Sequence, residues 1–169
     1  MLCLTLGMSR LIHKSHNVSI LLYHAVFPAK YRRVVFDEAV DQVVREMALE
    51  IERRYEIEFL EIGTDEDHVH FLVQSVPTYS PTKIITLIKS LVAREVFKRC
   101  PHVKKKLWGG EFWSDGYFVS TVGPQGNEYT IANYVRDQGK ELGQDVVYQQ
   151  LYRAQTMTQP SCSDQLTLF

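Results

Sequence analysis

His68 and His70, with Val69 between them, and Tyr134 and Gln138, four residues apart, are the side chains whose types and spacing could do chemistry together. Two imidazoles one residue apart on a strand project from the same face. The strand rise puts them about 7 Å apart at Cβ, which suits chelation of one metal ion. A tyrosine and a glutamine at i and i+4 share a helix face. One divalent ion beside one positioned phenol is what cleavage of a phosphodiester through a covalent tyrosine needs. Neither half is decisive alone. A His-x-His pair also occurs by accident on exposed strands, although the apolar residues around this one suit a central strand. Tyr134 lies in a stripe with Ile131, Val135, Gln138 and Leu142, where a tyrosine ordinarily fills the core. Gln138 is harder to explain by packing, because a buried amide needs partners. A metal would be one such partner. The amide oxygen is a hard ligand for Mg2+ or Mn2+, and two histidines equally suit Zn2+. Glu61, Asp65, Glu66 and Asp67 stand close by in the sequence. They read as outer partners of the imidazoles or as plain turn carboxylates.

The elements that must position these residues follow from hydrophobic period. Residues 18–27 are apolar, β-branched and aromatic, the pattern of a buried strand. Asp37 can cap a helix whose stripe is Val40, Val43, Val44, Met47, Ala48 and Ile51. Residues 56–62 and 68–76 form two strands joined by the turn 63–67, a hairpin. On the second of these, Val69, Phe71 and Val73 share one face, and His68, His70, Leu72 and Gln74 share the other. With the helices on the apolar face, the histidines are expected on the opposite, more open one. Ser80 and Pro81 start a helix over Ile84, Leu87, Ile88, Leu91 and Val92, which ends by Pro101. Residues 101–115 read as a basic loop with Gly and Trp, and 117–122 as a fourth strand. After a turn at 123–126, Asn127 caps a last helix through Tyr134 and Gln138. The order β-α-β-β-α-β-α gives an α+β fold. It is a ferredoxin-like split β-α-β antiparallel sheet with an extra C-terminal helix that carries the tyrosine.

A chain of 169 residues with ordinary globular composition is long enough for one domain with a real core. The expected organisation is an N-terminal extension of low order at 1–15, a domain at 16–142 and a polar tail from 143. The tail has room for a short helix at 146–152. Translation starts at Met1 or at Met8. No apolar run approaches the ~20 residues of a membrane helix, and no signal peptide is read at the start. Cys3, Cys100 and Cys162 form an odd, scattered set, which fits a reducing, cytoplasmic setting. The net charge of −1 hides segregation. Residues 1–36 carry bases and no acid, residues 37–67 hold twelve acids against three arginines, and residues 83–106 hold eight bases against Glu95. Binding of phosphates depends on such local patches. Arg10, Lys14, Arg32, Arg33, Lys83, Lys89, Lys104, Lys105 and Lys106 are therefore the candidate nucleic-acid contacts, with plain solvated helix and loop surfaces as the alternative. The run from Trp108 to Tyr117 behind three lysines mixes charge, rings and glycines, as single-stranded nucleic acid requires. A packed loop with its rings in the core is the alternative.

Read in order, the landmarks are Tyr23-His24-Ala25-Val26-Phe27, Lys30-Tyr31-Arg32-Arg33, Asp67-His68-Val69-His70-Phe71-Leu72, the block from Trp108 to Gly123, and Tyr134-Val135-Arg136-Asp137-Gln138. Over residues 16–142 the chain resembles the HUH single-tyrosine transposases of single-strand transposing insertion sequences. That resemblance implies a transposase that cuts and rejoins single-stranded DNA beside hairpins at element ends, through a 5′-phosphotyrosine and a free 3′-hydroxyl. It makes Tyr134 the nucleophile, and His68, His70 and Gln138 the ligands of Mg2+ or Mn2+. It also implies a homodimer in which the tyrosine helix of one subunit serves the histidine strand of the other, and no membrane partner. The alternatives are a domesticated nuclease on repeated genomic hairpins, a hairpin-binding module without catalysis, and a sheet protein with a chance zinc site. The presence of all four residues speaks against the hairpin-binding module.

Overall fold

The structure, a computed structural model, describes residues 9–123 and 128–138. Asn127 as a cap, the turn beyond Gly123, Cys3, Cys162 and the short helix at 146–152 lie outside the described residues. The elements run β1 (Ile12–His13), β2 (Val18–Ser19), β3 (Leu21–Pro28), α1 (Glu38–Arg54), β4 (Ile57–Thr64), β5 (His68–Ser75), α2 (Pro81–Arg99), α3 (Pro101–Lys106), β6 (Phe118–Val122) and α4 (Glu128–Arg136). β1 and β2 pair with each other. The main sheet has the order β4-β5-β3-β6, and its neighbouring strands are antiparallel. This is the expected split β-α-β arrangement.

The strand read over 18–27 divides. Val18 and Ser19 turn away to pair with Ile12 and His13. The sheet strand begins at Leu21 and runs to Pro28, because its register is set by β5, from Leu21 opposite Ser75 to Pro28 opposite His68. The cap residues act as expected. The Asp37 carboxylate accepts from the Val40 amide, and the Ser80 hydroxyl accepts from the Lys83 amide. The region read as a loop from 101 contains α3 instead. Pro101 occupies its first helical position, where the missing N–H costs nothing and φ is already helical. Val103 and Leu107 are buried beneath it, beside Cys100.

The larger core lies between the sheet and helices α1 and α2. Phe27, Val69, Phe71 and Val73 face Val40, Val44, Ile51, Ile84, Ile88 and Val92. The opposite face was expected to be open, and it is not. All eight residues of β5 are buried, because α4 lies across β4 and β5. Gly63 makes this seating possible. A Cβ at that position would stand 1.6 Å from the Val135 carbonyl oxygen, so no larger residue fits under the helix where it lies. From Ser9 onward the N-terminal segment also joins this face. The Ser9 amide donates to the Glu128 carboxylate at 2.6 Å, and the Gln74 side chain exchanges hydrogen bonds with the Arg10 backbone. No described helix is long and apolar enough to cross a membrane.

Candidate active site

The sheet register assembles the site. His70 stands opposite Val26 of β3 and Gly63 of β4. On the same face, two residues before Val26, is His24, opposite Leu72 and Ser120. Diagonal neighbours on one face are within reach of long side chains, and here the rings meet. His24 Nε2 lies 3.0 Å from His70 Nδ1, with the two rings nearly parallel at 5.3 Å between centroids. α4 then brings Tyr134 edge-on to both, 5.4 Å from the His70 ring and 5.9 Å from the His24 ring. Arg136 fixes the far end of the helix through its Nε, 3.1 Å from the Glu61 carboxylate.

Each imidazole of the His-x-His pair is held by its Nδ1. That of His68 donates to the Asp67 carboxylate at 2.6 Å, and Asp67 is in turn paired with Arg32 at 2.7 Å. That of His70 faces His24. The remaining nitrogen of His70, Nε2, is buried and has no hydrogen-bond partner among the described residues. A buried N–H stranded there would carry a full desolvation cost. The arrangement that avoids it has His70 Nδ1–H donating to His24, with a bare lone pair on Nε2. A lone pair so placed could ligate a metal ion, with outer partners fixing the tautomer. Burial holds His24 down to about 4. Burial, then repulsion from His24, His68 and Arg32, holds His70 lower still. Both are neutral at neutral pH, and neutral imidazole is the ligating form.

Gln138 lies one turn beyond Tyr134, and its side-chain NH2 donates to the Tyr134 carbonyl at 3.1 Å. That leaves the amide oxygen as the atom that could ligate a metal. Among the described residues no three His, Cys, Asp or Glu side chains are arranged to hold a metal ion, so a metal site here would need the Gln138 amide beside the two imidazoles. One chain thus brings Tyr134 against His70 and His24. The cross-subunit arrangement implied by the resemblance is not needed for that contact. Of the four carboxylates near the histidines, Asp67 is the outer partner. Asp65 Oδ2 is 3.9 Å from His68 Nε2, Glu61 holds Arg136, and the Glu66 backbone carbonyl accepts from Val35 and Phe36. His24 is the residue that the sequence reading missed as part of the site. Its signal was a lone polar side chain in an apolar strand, and register was needed to place it beside His70.

The candidate DNA contacts do not form one surface. Arg10 and Lys14 pair with Glu58 and Glu56 at the start of β4. Lys83 sits over the Tyr79 ring at the start of α2. Lys89 turns inward and donates to the Ser114 carbonyl at 2.7 Å. Burial lowers its ammonium from the ordinary lysine value, against the pull of Asp115. Lys106 instead joins α3 to the segment of Arg32 and Arg33, its Nζ donating to the Val34 carbonyl at 3.4 Å, with Arg33, Lys104 and Lys105 exposed on those two segments. Of the aromatic block, Phe112 and Trp113 are core, and Trp108, Tyr117 and Phe118 are exposed.

A β-α-β-β-α-β sheet with a His-x-His pair, and a tyrosine helix laid over it, defines a class of single-tyrosine DNA strand transferases. The family model described as "Transposase IS200 like" matches residues 17–138, and the chain belongs to that family of transposases. It is 29% identical over 118 residues to the ISDra2 transposase TnpA of Deinococcus radiodurans, covering 70% of this chain and 84% of that one. It is 30% identical over 119 residues to the transposase for insertion sequence element IS200 of Salmonella typhimurium, covering 70% of this chain and 77% of the relative. Among solved structures, it is similar to a putative transposase from D. radiodurans with a TM-score of 0.60 and 28% identity, covering 76% of this chain and 98% of that one. A REP-associated tyrosine transposase bound to a REP hairpin shares the fold, with a TM-score of 0.51 and 11% identity, over 76% of this chain and 70% of that one. Transposases of this family cleave and transfer DNA strands.

Proposed function

We propose that the chain cuts and rejoins single-stranded DNA at hairpin-flanked element ends, with Tyr134 as nucleophile and His68, His70 and Gln138 holding a divalent metal, Mg2+ or Mn2+. The observation that carries this reading is the Tyr134 ring 5.4 Å from a histidine whose buried Nε2 has no partner among the described residues. Bound there, the metal would act as a Lewis acid on the scissile phosphate, which a phenol of ordinary pKa ~10 needs at neutral pH. The residues of the chain supply position. α4 holds the phenol, Asp67 and His24 hold the imidazole tautomers, and Gly63 keeps the helix close to the strand. Tyr134 Oη attacks phosphorus, the bond from phosphorus to the 3′ oxygen breaks, and that oxygen takes up a proton. The products are a 5′-phosphotyrosine and a free 3′-hydroxyl, and the reverse attack rejoins strands without an external energy source. Hairpin recognition follows from the resemblance, and the fold is shared with a transposase that binds a REP hairpin.

The test is formation of a covalent protein–DNA adduct on a single-stranded element end, read on a denaturing gel. The wild type forms the adduct with Mg2+ or Mn2+, and Tyr134→Phe forms none. An adduct with Tyr134→Phe overturns the assignment. In a homodimer whose helices exchange, the same four side chains are kept, and only the donor of Tyr134 and Gln138 changes. Mixing Tyr134→Phe with His70→Ala subunits reads this. Adduct formation by the mixture reports exchange, and its absence reports a site built within one chain.

A further inference from the structure

We infer that Tyr31 and Trp108 form a stacking platform for an unpaired nucleobase of single-stranded DNA at the flank of the histidine site. This rests on the strand-transferase reading above. Trp108 is 71% exposed and Tyr31 55% exposed. Their rings nonetheless stack on each other, 5.7 Å apart and 16° from parallel. Two large rings that pair in solvent leave their outer faces to water, an arrangement that a third flat ring would complete. Single-strand binders use such faces because every base has one.

The pair is held in place. Leu107, on one side of Trp108, is buried, and its amide donates to the Val103 carbonyl. Beyond Gly109 and Gly110, both at positive φ, Phe112 and Trp113 return to the core. The Lys30 amide donates to the Phe112 carbonyl at 2.9 Å, which ties the two segments together. Tyr31 (φ 57°, ψ 22°) and Arg32 (φ 53°) are consecutive non-glycine residues in the left-handed region. That conformation is costly and persists where the surroundings enforce it, commonly at binding sites. It turns the Tyr31 ring onto Trp108 and the Arg32 guanidinium onto Asp67, which holds His68.

Charge suits a nucleic acid strand here. Arg33, Lys104 and Lys105 are exposed on the two segments that carry the pair. The acids near this corner are themselves partnered, Glu111 and Asp115 with Lys30, Asp37 with His102 and Asp67 with Arg32, and the Lys30 Nζ lies 5.6 Å from the Tyr31 ring centre. Bases would track the phosphates while the rings take a base.

The experiment titrates the protein with a single-stranded oligonucleotide of about 20 nucleotides, and with the same strand made abasic at successive positions. Tryptophan fluorescence and affinity are read together. The wild type is quenched on binding, and Trp108→Ala binds about 5- to 150-fold more weakly, the range of one lost base stack. Trp108→Phe restores most of the affinity, because the flat ring is kept. Tyr31→Gly, which relieves the left-handed strain, keeps the melting temperature of the wild type and still weakens binding. One abasic position abolishes the quenching. Equal affinity of wild type and Trp108→Ala, or equal affinity for intact and abasic strands, overturns the platform. The strand-transferase reading then still stands if the Tyr134 adduct forms. Failure of the wild type to bind any single strand overturns both.

Discussion

At the sheet face, His24, His70 and Tyr134 are buried against one another, whereas at the corner by Arg33 the rings of Tyr31 and Trp108 stack in solvent. The first region spends its polar atoms inward. His68 and His70 each have an outer partner on Nδ1, and the His70 Nε2 has none among the described residues. A buried nitrogen of that kind would suit something small and charged, such as an ion and the phosphate oxygen it holds. The second region leaves broad apolar faces outside and cations around them, which suits something flat on a charged string. Burial distinguishes the two chemistries, and the chain Arg32–Asp67–His68 joins them. On a single strand one region would act on the linkage while the other holds a neighbouring base.

The largest break in this comparison comes from His70→Ala. It removes the orphan nitrogen without touching the corner. Adduct formation falls about 10^3-fold or more, the loss of several kcal/mol of Lewis-acid stabilisation. Calorimetric Mn2+ binding falls with it, while Trp108 quenching by a single strand persists. Loss of the quenching as well would mean that the two regions are one cooperative unit.

Much of this architecture was legible in the sequence, for identifiable reasons. The stripes of α1 and α2 and their caps at Asp37 and Ser80 are local patterns, and the structure shows them. The His-x-His spacing is local too. What the sequence did not show depends on contacts far apart along the chain. His24 meets His70 only through the register of β3 on β5. The covering of the histidine face depends on where α4 lands, and Gly63 marks that landing only once Val135 is known to sit above it. The helix over Pro101–Lys106 was hidden because three lysines read as loop, although Val103 and Leu107 carry its buried side. The basic block at 83–106 looked continuous in sequence. In space it divides, with Lys83 over Tyr79, Lys89 turned inward and the α3 lysines beside Val34.

Gly63→Ala is the next perturbation in size. Its methyl group must push α4 off β4 or distort the strand, an overpacking cost of about 1–3 kcal/mol that a denaturant midpoint would measure. The helix carries Tyr134, so adduct formation falls further than stability does. The corner by Trp108 lies away from this contact, and its affinity for a single strand stays within about 3-fold, as expected for independent sites. If stability and adduct formation stay at wild-type levels, the close approach of Val135 to Gly63 is not the working position of the helix.

The smallest expected effect tests the link itself. Asp67 is shared by both regions, accepting from His68 Nδ1 on one side and pairing with the half-exposed Arg32 on the other. Asp67→Asn keeps an oxygen that can accept from His68, so the ring stays oriented, but removes the charge that raises its basicity. Outer partners of this kind are worth about 10- to 100-fold in metal affinity. The isosteric change should fall near the lower end, about 10-fold, by Mn2+ calorimetry. Loss of an exposed ion pair costs under about 1 kcal/mol of stability, so a melting curve barely moves. Arg32 nevertheless loses the anchor that helps hold it and Tyr31 left-handed, and the platform should loosen, with a small drop in Trp108 quenching at saturation. Both readouts moving together shows one device that couples the cleaved linkage to the held base through a single carboxylate. Movement of the metal affinity alone shows two devices that merely share a neighbour.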